Sequence, residues 1–287
     1  MILKEEIQTI ATEKQLGIDI IEKDYILSWV LAGIHHHPAT KNSWIFKGGT
    51  CLKKCYFETY RFSEDLDFTY RGISHELTKE FYKNIFLEIA QWIYENAGIE
   101  LPKQGIEFEI FKNKRNSISI QGKLSYRGPI QRNSSVARLP RLKIDLTLDE
   151  PLFIEPVIKK IEHSYSDTLK EGKKILAYSY EELFAEKLRA LVQRLRPRDL
   201  YDVIHLYQQK SINTNPNLLK QILQKKCALR RVPFPNIELI ETHDNRKFLE
   251  SEWVIQLRHQ MPELPPFKLF LDKLTKVLDW IAKKNPE

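Results

Sequence analysis

Cysteine is scarce: Cys51, Cys55 and Cys227 are the only three in 287 residues. So sparse and odd a set excludes a secreted disulfide scaffold and points to a reducing compartment, by default the cytoplasm. Long apolar runs are missing too. No stretch approaches the roughly 20 residues that a membrane span needs. The opening segment ILKEEIQTIATEKQ is charged from residue 4 onward, so it lacks the apolar centre of a signal peptide. Internal repeats and low-complexity tracts are absent, which removes solenoids and compositionally disordered chains from consideration.

What is present suits a folded protein with a real core: 42% of residues are hydrophobic and 29% charged. The net charge of +7 and the pI near 9.1 favour a polyanionic partner such as RNA, DNA or nucleotide. Many basic proteins bind none of these, so charge alone leaves the partner open.

Periodicity divides the chain. Residues 4–34 read as helices, with Tyr25, Ile26, Trp29, Val30 and Ile34 at helical spacing. SWIF (43–46) reads as a strand broken by Gly48 and Gly49, after which a helix begins with its N-cap at Thr50 or a residue beside it. EDLDFTY (64–70) alternates as a strand, and residues 75–98 form an amphipathic helix closed by Gly98. Strands are expected at 106–111, 117–126 and 141–148, with further candidates in 155–165 and 173–179. From Tyr180 the pattern turns helical, with Ser179 and Glu182 spaced as a capping box and Pro197 starting the next helix. Helices at 215–231 and 268–284 follow, separated by the Pro-rich connectors RVPFPN and MPELPPF. The fold class is therefore α+β: a domain over residues 1–178 whose mixed sheet is flanked by helices, then a helical domain over 179–287.

Chemistry concentrates in FKGGTCLKKCYFETYRFSEDLDF, residues 46–68. Asp65 and Asp67 project from one face of a strand, their Cα atoms about 7 Å apart, an arrangement that repulsion disfavours and a divalent cation favours. Gly48, Gly49 and Thr50 can present backbone N–H groups and a hydroxyl to phosphate. Asp145, on the polar face of RLKIDLTL, is a third acid able to complete a two-metal site. Asp149 and Glu150, beyond that strand, read as solvated loop residues. The plain alternatives are a solvated strand for the acids and an ordinary turn for the glycines.

Together with KIDLT and YSYEELFAEKLRALVQRLRPRDLYDVIHL, these motifs resemble the AbiEii/AbiGii-type toxin nucleotidyltransferases, MenT-like members of the DNA polymerase β-like superfamily. The resemblance spans residues 21 to about 207. It implies a polymerase β-like nucleotidyltransferase fold, an NTP substrate and Mg²⁺ or Mn²⁺ held by Asp65, Asp67 and Asp145. It also implies transfer of NMP to an acceptor hydroxyl, with the tRNA 3′ end the leading acceptor, and a cognate antitoxin. Gly48, Gly49 and Thr50 then match the phosphate-facing turn, and Lys187 matches a triphosphate-holding position. Arg198, Asp199 and Asp202 match the motif RDxxD, with Asp202 either orienting Lys187 or Arg198 or touching nucleotide. Ser63 could bind phosphate or cap the strand, and Arg61 could pair with an acid or face solvent.

Without that resemblance, the basic residues between Lys187 and Arg198 read equally as a solvated helix face. His35, His36 and His37 read as a helix-end loop. Cys51 and Cys55 read as buried core, and Trp92, Tyr94, Trp253 and Trp280 as apolar helix faces. A protein-NMPylating enzyme and a non-catalytic nucleotide- or RNA-binding module are the competing functions.

Overall fold

Period-two alternation of apolar and polar residues makes a strand with one wet face, and several such segments assemble here into a single sheet. The computed structural model describes residues 1–58, 60–72, 78–113, 115–131, 135–168, 172–209, 212 and 214–282. Its elements fall into two units: Met1–Pro151 with Pro156–Tyr178, and Leu152–Glu155 with Ser179–Glu287.

The first unit carries β1 (Trp44–Lys47), β2 (Asp65–Tyr70), β3 (Ile106–Lys112), β4 (Ile118–Ser125), β5 (Arg141–Thr147), β6 (Val157–Lys160) and β7 (Lys174–Ala177), with α1 (Lys4–Glu13), α2 (Ile18–His36), α3 (Pro38–Lys41), α4 (Gly48–Cys55) and α5 (Lys79–Ala97). The strands form one seven-stranded sheet in the order β3-β4-β5-β2-β1-β7-β6. β2 runs parallel to β5 and β1 to β7, while the other neighbours are antiparallel. The mixed sheet follows because β1 and β2 are joined through α4 and a short loop, whereas β5 reaches the far edge of β2 only after the β3–β4 hairpin.

Register sorts the side chains by face. Trp44, Phe46, Leu66, Phe68, Ile144 and Leu146 are buried, with the Phe86 ring of α5 tilted against Trp44 at 5.7 Å and against Phe108 at 5.0 Å. Burying each large aromatic of this kind contributes about 1.5–3 kcal/mol before entropy is counted. The opposite face is polar and half-exposed along β2, β5 and β4. The expected helix start at residue 75 lies outside the described residues; α5 is capped by the Thr78 hydroxyl, which accepts from Phe81 N at 3.0 Å. Its C-terminus closes on Gly98 at φ +66°, as the sequence requires.

The second unit is helical: α6 (Tyr180–Arg194), α7 (Pro197–Gln208), α8 (Pro216–Arg230), α9 (Ile237–Glu241), α10 (Phe248–Leu257) and α11 (Phe267–Ala282). α9 and α10 were not anticipated, because α10 (FLESEWVIQL) has no clean apolar stripe: Leu249, Trp253 and Leu257 are buried while Val254 and Ile255 are exposed. Ser179 caps α6 by accepting from Glu182 N, but the capping box is only half made. The Glu182 carboxylate instead pairs with buried Lys226 at 2.8 Å and accepts from Phe153 N and Ile154 N, which ties Leu152–Glu155 to this unit.

Smaller expectations resolve on the same principle. His35 and His36 end α2, His36 stacks on Trp92 at 4.8 Å, and the His37 ring caps α3. Cys51 is buried and Cys55 partly so. Trp253 is core, whereas Tyr94 is exposed on α5 rather than on an apolar face. Among the described residues no helix is long and apolar enough to cross a membrane.

Candidate active site

Three acids meet on the polar face of the sheet because of register. Asp67 of β2 lies directly opposite Asp145 of the parallel strand β5, and Asp65 lies opposite Lys143. Residues paired across neighbouring strands, and those two apart along a strand, share a face. The polar row thus runs Lys47, Asp67, Asp145 and Gln121 across β1, β2, β5 and β4, with Asp65 and Lys143 in the row beside it.

The glycine turn abuts this row. The helix α4 begins at Gly48 itself with Lys47 as N-cap, so the expected cap at or beside Thr50 is displaced toward the strand. The reason is backbone geometry: Gly48 takes φ +81°, which a residue without Cβ adopts freely, and the chain turns from β1 into α4 within one residue. A Cβ on Gly48 would collide with the Asp67 carboxylate. A Cβ on Gly49 would lie 2.9 Å from Arg61 Nη2 and 3.1 Å from Ser63 Oγ. Both glycines are therefore pressed against the loop and strand that carry the acids. Thr50 is buried, and its hydroxyl donates to Asp65 O at 2.5 Å, so it fixes the start of β2 instead of facing open space.

Buried charges brace the turn from behind. Lys47 Nζ donates to Glu150 Oε2 at 2.7 Å, with both side chains almost fully enclosed. Glu150 is thus not the solvated loop residue expected; Asp149 is likewise engaged, by Arg115 at 2.7 Å. At the other end of α4, Lys54 pairs with Asp24 of α2 at 2.6 Å, and Tyr165 donates to the same carboxylate at 2.9 Å. Tyr178 joins three elements: its hydroxyl and that of Thr69 are 2.6 Å apart, its N–H donates to Phe46 O, and its carbonyl accepts from Tyr56.

Side-chain placement adds a cation to the acid cluster. Lys143 Nζ lies 2.6 Å from Asp145 Oδ2, and Gln121 Nε2 donates to Asp145 Oδ1 at 2.9 Å, so both oxygens of the third acid are engaged. Burial alone would lower the Lys143 pKa, but the hydrogen bond to Asp145 and the charges of Asp145, Asp65 and Asp67 outweigh it and hold it above the usual lysine range. Among the described residues no three His, Cys, Asp or Glu side chains are gathered closely enough to hold a metal ion. Asp65 and Asp67 still offer the hard oxygens that Mg²⁺ takes when phosphates and water complete its shell. Lys47, Lys143 and Gln121 were not singled out from sequence, although strand alternation alone puts each on the polar face.

The second unit holds the remaining motif residues. Lys187 Nζ pairs with Asp202 Oδ2 at 2.6 Å, with the Asp202 side chain fully enclosed. Arg194 grips Asp199 through two hydrogen bonds of 2.6 and 2.7 Å, Arg189 donates to Gln193, and Arg198 reaches Gln256 O at 3.4 Å. The basic run is therefore only in part a solvated helix face: Lys187 and Arg189 are buried, whereas Arg194 and Arg196 are exposed. Leu195, at φ +40°, turns the chain between α6 and α7 and brings the acids of α7 onto the cations of α6.

Sequence and structure comparisons bear on the family and the fold. The family described as "Nucleotidyl transferase AbiEii toxin, Type IV TA system" matches residues 29–282. Among solved structures, the MenT4 nucleotidyltransferase toxin of Mycobacterium tuberculosis H37Rv aligns with a TM-score of 0.65 at 16% identity, covering 99% of this chain and 91% of that one. An antigenic nucleotidyltransferase-like protein from Paracoccidioides brasiliensis aligns at 15% identity over 73% and 89% of the two chains, and its TM-score of 0.38 is too low to carry weight. No curated protein matches at the level of sequence. With its mixed sheet shared with a nucleotidyltransferase toxin and a family match over most of its length, this chain belongs to the AbiEii nucleotidyltransferase toxins of type IV toxin–antitoxin systems.

Proposed function

We propose that this nucleotidyltransferase moves a nucleoside monophosphate from an NTP to the 3′ end of tRNA, blocking aminoacylation and hence translation in the cytoplasm. The observation that carries the reading is the placement of Asp65, Asp67 and Asp145 on one sheet face, with Asp67 against Gly48. Asp65 and Asp67 would hold Mg²⁺, with Asp145 joining them once released from Lys143. Bound there, the ion would supply Lewis-acid stabilisation of charge on the transferring phosphoryl group. The bare Cα atoms of Gly48 and Gly49 let phosphate approach the first-turn N–H groups of α4. Ser63 and Arg61, packed against Gly49, offer a hydroxyl and a guanidinium to the same anion. Lys187, Arg198, Asp199 and Asp202 are assigned to the nucleotide on their motif alone, and the buried Asp202 carboxylate orients the Lys187 ammonium. A net charge of +7 supports a polynucleotide acceptor. Toxin–antitoxin membership also implies a neutralising protein partner.

Each of the four labelled NTPs, incubated with the protein, Mg²⁺, total tRNA and a cell lysate, tests this. Label in the tRNA 3′ end supports the reading; label in protein replaces the acceptor with a side-chain hydroxyl; no label anywhere rejects transfer.

Gly48→Ala is expected to lower stability by about 1–2 kcal/mol, the cost of the left-handed backbone for a residue with Cβ. It also displaces Asp67, so label transfer should fall with the melting temperature. A variant that melts and transfers like wild type would show that Asp67 does not depend on this close approach.

A further inference from the structure

A positive side chain stands inside the acidic cluster that the proposed function assigns to metal. Lys143 lies directly across from Asp65 and two residues before Asp145 on the same face, with Asp67 in the adjoining row. Its ammonium contacts Asp145 at 2.6 Å, while Gln121 takes that carboxylate's other oxygen. On its far side Lys143 is paired in register with Lys123, a like charge that disfavours a turn toward β4. Lys143 thus offsets one of the three carboxylate charges and leaves the set of four side chains net negative.

We propose that Lys143 is a resident counter-cation and positioning residue, which holds Asp145 and competes with the divalent ion for the Asp65–Asp67–Asp145 cluster. This rests on the reading of those three acids as metal ligands. The pair is built to yield. The Lys143 and Asp145 side chains are 43% and 30% exposed, so the ammonium can swing into water without opening the core. Half-exposed ion pairs are weak and screened by salt. A divalent ion carries twice the charge of the ammonium, so it competes for the same carboxylates, and the ammonium weakens its binding by offsetting part of their charge.

The test is Mn²⁺ binding to the full chain without nucleotide, followed by electron paramagnetic resonance, in wild type, Lys143→Met, Lys143→Arg, Asp67→Asn and the double variant Lys143→Met/Asp67→Asn. Removing one positive charge a few ångströms from a divalent ion is expected to tighten Mn²⁺ binding about tenfold or more. Lys143→Arg keeps the charge and should bind as wild type does, which separates the effect from altered packing. Adding Asp67→Asn to Lys143→Met should abolish the gain. Equal or weaker binding by Lys143→Met, with Asp67→Asn still weakening it, overturns the counter-cation role and leaves the metal site standing. Binding indifferent to Asp67→Asn in every background overturns both. Circular dichroism of each variant, with Lys143 half-exposed, is expected to match wild type.

Discussion

Asp67→Asn is expected to slow nucleotidyl transfer by about a thousandfold, the scale on which loss of a single preorganised charge-stabilising group slows an enzyme. Asn keeps the shape and one acceptor oxygen, so the sheet and the Gly48 contact survive while the charge is lost. Asp67 is the acid on which the site converges: it faces Asp145 across β5, Lys47 across β1 and Gly48 at the start of α4. The drop should appear in the rate at saturating NTP, with circular dichroism and melting temperature close to wild type. A variant retaining half the wild-type rate would remove Asp67, and with it the metal assignment, from the mechanism. Asp65→Asn should behave alike, because its side chain shares the same face two residues away.

Glu150→Ala is expected to be the most destabilising of the changes considered. It leaves the Lys47 ammonium enclosed with one carboxylate fewer, and breaking a buried pair by removing one partner costs about 3–5 kcal/mol. For a unit of this size that corresponds to a fall of roughly 6–20 °C in melting temperature. The site should suffer as well, because Lys47 is both the N-cap of α4 and the register partner of Asp67. The double change Lys47→Met/Glu150→Leu replaces the pair by apolar volume and should recover most of the stability, since well-packed hydrophobic residues often match or exceed a buried pair. Transfer activity is then a separate readout. A double variant that is stable but slow assigns the pair to catalysis as well as folding. Unchanged melting of Glu150→Ala would refute the buried pair as a brace.

Much of this was open to reading in the chain itself. Alternation in EDLDFTY and RLKIDLTL puts Asp65, Asp67 and Asp145 on polar faces, because the period of a strand is two whatever it packs against. Gly48 and Gly49 could be recognised as a break, since only glycine takes a positive φ at no cost. Pro197 and Gly98 mark helix ends for equally local reasons. Three things were not legible. Glu150 looks like one more loop acid, and only its distant partner Lys47 makes it core. α10 carries apolar residues on more than one side, so its helical period is blurred until packing selects Leu249, Trp253 and Leu257. Glu182 has the spacing of a capping box, yet buried Lys226 outcompetes a local backbone N–H for its carboxylate.

The sequence by itself determined the class of elements, the change from sheet to helices near residue 178, and the residue types able to do phosphoryl chemistry, because propensity, periodicity and turn chemistry are local properties. Only the tertiary structure decided that β2 and β5 run side by side in parallel with Asp67 opposite Asp145, that Lys143 stands among the acids, and that Lys187 is held by Asp202. Strand pairing and ion pairing join residues that are far apart in the chain, and the free energy selecting one partner over another comes from burial and register across the whole sheet, which no short window of sequence contains.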